Sequence, residues 1–63
     1  MLEIAQSYCE MYGSTEEAIP HFARNLMTGD PETLKAGYTR ENAIMAAAWA
    51  FGVTREEVER LVA

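Results

Sequence analysis

The stretch Thr39 to Val62, TRENAIMAAAWAFGVTREEVERLV, decides the fold. Ala43, Ile44, Ala47, Ala48 and Phe51 recur at the i, i+3/i+4, i+7/i+8 spacing of one helix face. Thr39 precedes this run as an N-cap, its hydroxyl placed to accept a first-turn N–H. Gly52 stops the helix, because glycine enters the left-handed region after a helix end without steric cost. Thr54 opens a second helix and Glu57, three residues on, completes a capping box. Val58, Leu61 and Val62 give that helix its apolar face. The spacing predicts two helices meeting at a glycine turn.

Two families share this spacing. Ala48 four residues before Gly52, then Val53, Thr54, Val58 and Leu61, resemble a helix-turn-helix motif over Ala43 to Val62. In that family the alanine permits a close helix crossing and the glycine makes the turn. The resemblance implies DNA binding through Thr54, Arg55 and Arg60. The outward side of the second helix, however, also carries Glu56, Glu57 and Glu59, a poor face to lay against phosphate. Gly37-Tyr38-Thr39-Arg40-Glu41, followed by Ala43-Ile44, Gly52 and Val58, also resembles a ubiquitin-associated (UBA) domain over Gly37 to Val62. That resemblance implies a protein-binding surface that includes Tyr38. A shared scaffold does not by itself fix a function.

Upstream, Leu2 to Tyr12 reads as a helix with a wide apolar band: Leu2, Ala5, Cys9 and Tyr12 on one face, Ile4, Tyr8 and Met11 on the next. Such a band suits either a central packed helix or a partner-binding one. Gly13 ends it, and Ser14 with Glu17 caps the next. Ala18, Ile19, Phe22, Ala23, Leu26 and Met27 continue as an amphipathic helix, interrupted by Pro20, which predicts a kink or a fresh start. Thr28-Gly29-Asp30-Pro31 breaks the chain, and a short connector helix is expected from Pro31 to Ala36 with Leu34 as its core residue. No β-alternation competes. The expectation is one all-α domain, 1–63, a small bundle of four to five short helices with a helix-turn-helix-like C-terminal half.

Composition narrows the function classes. A 63-residue chain makes a marginal core, and its lone cysteine, Cys9, excludes an intrachain disulfide. A lone thiol fits a reducing compartment or is simply a small buried hydrophobe, and the second is the favoured structural role for Cys9. An apolar share of 49% argues against disorder and favours self-association to cover the surplus. No long apolar run or basic leader appears, and a cytoplasmic protein that does not enter a membrane is expected. The net charge of −5 disfavours nucleic acid as a partner. It permits an acidic decoy acting on a basic host protein, although charge that merely keeps a small domain in solution is the simpler reading.

Chemistry is sparse. His21 is the only histidine, which excludes multi-histidine metal sites within one chain. A Cys9–His21 nucleophile–base pair has no flanking motif. Glu16-Glu17 and Glu56-Glu57 sit on helix first turns, where the helix dipole favours negative charge. Neither an enzyme nor a cofactor is expected.

The remaining signal is apolar. Trp49, with Met45 four residues earlier, lies off the main stripe of its helix. With Ala46 and Ala50, almost no side of that helix is polar after Asn42, and a helix apolar all round is a buried one. Burial on every side then calls for a second copy or a partner, or takes Trp49 into the core with Met45 as a gap-filler. The expectation is a small regulatory or adaptor protein working through protein–protein contacts as a homodimer, also binding an unidentified protein. Its candidate interface is Tyr8, Met11, Tyr12, Tyr38, Met45 and Trp49. A compact acidic chain of this size suits an accessory gene of a bacterium or phage.

Overall fold

Local side-chain chemistry sets most of the helix boundaries. The computed structural model describes residues 1–28 and 37–63. They form four helices: α1 (Glu3–Tyr12), α2 (Thr15–Thr28), α3 (Arg40–Phe51) and α4 (Arg55–Val62). The hydroxyls of Thr39 and Thr54 accept the N–H groups of Asn42 and Glu57, each at 3.1 Å, and Ser14 Oγ accepts the Glu17 N–H at 3.2 Å. Each satisfies one of the donors a helix start leaves without an intrahelical partner. Gly13 (φ 96°) and Gly52 (φ 70°) turn the chain in the left-handed region after α1 and α3. The expected connector helix, Pro31 to Ala36 with Leu34, lies outside the described residues.

One boundary moves, and one of the two readings of Pro20 falls away. The first helix begins at Glu3 rather than Leu2, and Leu2 has no side-chain cap to offer. Its backbone N–H instead donates to the Ala50 carbonyl at 2.8 Å, tying the start of α1 to the end of α3. Pro20 lies inside a single continuous helix, neither restarting it nor dividing it in two. A proline there forfeits its own N–H bond to the preceding turn. Ile19 and Phe22, both buried, hold the chain in helical register on either side of it.

Packing radiates from α2, which touches each of the other three helices; α3 also touches α1 and α4, while α1 and α4 do not meet. The core gathers Ala5 and Tyr8 of α1, Ile19, Phe22 and Leu26 of α2, Ile44, Ala47 and Phe51 of α3, and Val58 of α4. Aromatic edges join three helices: Phe22 meets Tyr8 and Phe51 edge-on, both at 5.2 Å between centroids. Edge-to-face packing aligns the positive rim of one ring with the negative face of the next. The small residues Ala18, Ala23, Ala43 and Ala47, all buried, let the helix backbones come close. The result is a small all-α bundle.

Candidate interaction surface

On α3 the packing separates two sides. Ala43, Ile44, Ala47, Ala50 and Phe51 face the core. The opposite side carries Met45, 52% exposed, and Trp49, 73% exposed. The two are i,i+4 neighbours and therefore lie one above the other along the helix. The half-buried Ala46 and Ala48 flank them, and Gly52, exposed and without a side chain, ends the stripe. The chain alone thus does not bury α3 all round, and the alternative of a core Trp49 is overturned. Alanine and isoleucine supply enough apolar surface for the inward face, which leaves the two largest apolar side chains of the outward face in water.

The other expected interface residues scatter. Tyr8 is 4% exposed and belongs to the core. Its ring packs on Phe22 and its hydroxyl accepts from Asn25 Nδ2 at 2.7 Å, which satisfies the polar end inside the fold. Tyr12 is half-buried and stacks on the His21 ring, centroids 4.0 Å apart and planes 3° from parallel. Met11 is 68% exposed on α1, and Tyr38 is exposed just ahead of α3, its N–H donating to the Leu26 carbonyl at 3.2 Å. Leu2, held beside the end of α3 by its bond to Ala50, is a further exposed apolar residue that sequence reasoning left out of the surface. Only the long-range backbone bond reveals it, and no local pattern encodes that bond.

The candidate DNA contacts stand among carboxylates at the surface. The Thr54 hydroxyl caps α4. Arg55 pairs with Glu41 of α3 at 2.5 Å and with Glu59 at 3.8 Å; Arg60 pairs with Glu57 and reaches Glu16 of α2 at 3.5 Å. Each guanidinium thus sits between two carboxylates and links α4 to a neighbouring helix. The hydrogen bond that Arg55 donates to Glu41, then the Glu41 charge, raises the Arg55 pKa above its ordinary value, with Glu59 adding to it. For Arg60 the hydrogen bond to Glu57 leads, followed by the Glu57 charge and then Glu16.

Cys9 and His21 have different neighbours. Cys9 Sγ lies 3.5 Å from Thr15 Oγ1 and 4.0 Å from Met1 Sδ, packed against the core. Among the described residues no three His, Cys, Asp or Glu side chains gather where a metal ion would sit. No helix among them is long and apolar enough to cross a membrane. An open groove of about 360 Å³ runs between α2 and α4, lined by Pro20, Ala23, Arg24, Met27, Leu61, Val62 and Ala63. No family model, curated protein or solved structure matches this chain.

Proposed function

We propose that this is a small, non-enzymatic regulatory or adaptor protein that works through protein–protein contacts on the outward face of α3, acting as a homodimer. The observation that carries the reading is Trp49, 73% exposed, beside the half-exposed Met45. Tryptophan is concentrated among residues that dominate binding energy, and its large rigid ring costs little entropy to immobilise. Complete burial of both side chains on both copies is worth on the order of 14 kcal/mol at the usual coefficient for apolar area. The loss of free motion on association costs about 4–15 kcal/mol. At the upper end of that cost the two offset one another, so a contact made by these side chains alone supports at most a reversible dimer.

The paired state of Arg55 and Arg60 weighs against a DNA-binding role, since phosphate would have to displace carboxylates already in place. Cytoplasmic placement belongs to the same proposal, supported by a single thiol with no disulfide partner in the chain. Sedimentation velocity from low micromolar to near-millimolar protein tests the reading. The wild type is expected to pass from monomer to dimer, equally in low and in high salt, and Trp49→Ala to remain monomeric with unchanged helical circular dichroism. A wild type monomeric throughout would sink the homodimer.

A further inference from the structure

We infer that the second copy docks antiparallel, α3 against α3, about a two-fold axis at the level of Ala47, with each Trp49 lying on Met45 of the other copy. This rests on the self-association proposed above and goes beyond it in fixing which residues meet.

The stripe is self-complementary in that orientation only. Reversing α3 about the level of Ala47 sets Met45 opposite Trp49, Ala46 opposite Ala48, and Asn42 opposite Gly52. Large meets medium, small meets small, and the exposed polar side chain meets a glycine. A Cβ built on Gly52 would touch nothing within 4 Å, which leaves space beside it for Asn42. Flanking alanines on both copies let the helix axes approach to the roughly 8–10 Å of close helix packing. Methionine thioethers make favourable contacts with aromatic rings, and here the contact forms twice.

A parallel arrangement is worse on electrostatic grounds. It brings two helix N-termini together and sets Arg40 against Arg40 and Glu41 against Glu41, whereas the antiparallel form separates these like charges and opposes the dipoles. Nothing on the stripe calls for an oppositely charged partner, since Met45, Ala46, Ala48 and Trp49 are uncharged and Glu41 already holds Arg55. The exposed area of Trp49 and Met45 on two copies amounts to roughly 550 Å², about half the total that a weak but specific interface buries. Asn42, Gly52 and the flanking Ala46 and Ala48 extend the contact toward that requirement.

Two measurements test the orientation. The first uses an equimolar mixture of isotope-labelled and unlabelled wild-type protein at a concentration where it is dimeric. A filtered NOE experiment is expected to show contacts from the Trp49 ring of one copy to the Met45 methyl of the other. Intermolecular Met45–Met45 contacts in their place would overturn the inference. The second places a spin label at Asn42→Cys in a Cys9→Ser background. The antiparallel form sets the two labelled backbones about 18 Å apart, against about 9 Å for the parallel form, from the helix rise and packing distance. The short distance in a confirmed dimer would overturn the orientation and leave self-association standing. Failure of the wild type to dimerise would overturn both.

Discussion

Two aromatic residues two positions apart on α3 should respond to alanine in opposite ways. Phe51 is 3% exposed and meets the Phe22 ring edge-on; Trp49 is 73% exposed. Truncating a buried phenylalanine removes its transfer free energy and leaves a cavity, typically about 3–5 kcal/mol. A domain of this length holds roughly 3–9 kcal/mol of total stability at the usual per-residue figure. Phe51→Ala is therefore expected to lose about a third or more of the fold's stability, and at the lower end of the total to be largely unfolded at 25 °C. Trp49→Ala gives up almost nothing within the monomer, changing stability by no more than about 0.5 kcal/mol. The better helix propensity of alanine acts in its favour. Urea unfolding followed by circular dichroism, at low micromolar protein so that association does not contribute, measures both. A loss above about 1 kcal/mol for Trp49→Ala would mean that Trp49 is anchored within the monomer, and the interface reasoning would fail with it.

Three further changes probe the framework. Gly52→Ala places a side chain at φ 70° with nothing for its Cβ to strike, so the whole cost is backbone strain of about 1–2 kcal/mol; thermal melting should show a fall of roughly 4–8 °C per kcal/mol. Thr39→Ala and Thr54→Ala each remove a cap bond at a helix start, and each is expected to cost about 1 kcal/mol in denaturant titration. Tyr8→Phe keeps the ring on Phe22 and deletes the acceptor for Asn25, for an expected loss of about 1 kcal/mol in denaturant titration with no change in helix content.

Helix ends were the most legible part of the chain. Thr39, Thr54, Ser14, Gly13 and Gly52 act through neighbours within a few residues, and that local chemistry is written in order along the sequence. The side on which Trp49 lies was legible too, because helical spacing alone sets it apart from Ile44, Ala47 and Phe51. Tyr8 was not. Its place on the apolar band of α1 suited either a surface or a core, and what decided it was an amide seventeen positions away that could receive its hydroxyl inside the fold. Pro20 left a kink and a fresh start both open in the sequence; the helix does not restart there, and buried Ile19 and Phe22 stand on either side of it. The ion pairs from Arg55 to Glu41 and from Arg60 to Glu16 join different helices, and no short motif brings them into view.

Because the chain's single tryptophan projects from the bundle rather than lining it, its fluorescence reports on the surface and hardly at all on folding. An indole already bathed in water in the native monomer has little spectral distance to travel on denaturation, and an emission-based melt would understate the cooperativity of the fold. The same ring shifts toward shorter wavelength whenever something covers it. The protein thus carries its own unlabelled probe for whatever docks on α3, silent during unfolding and responsive to contact.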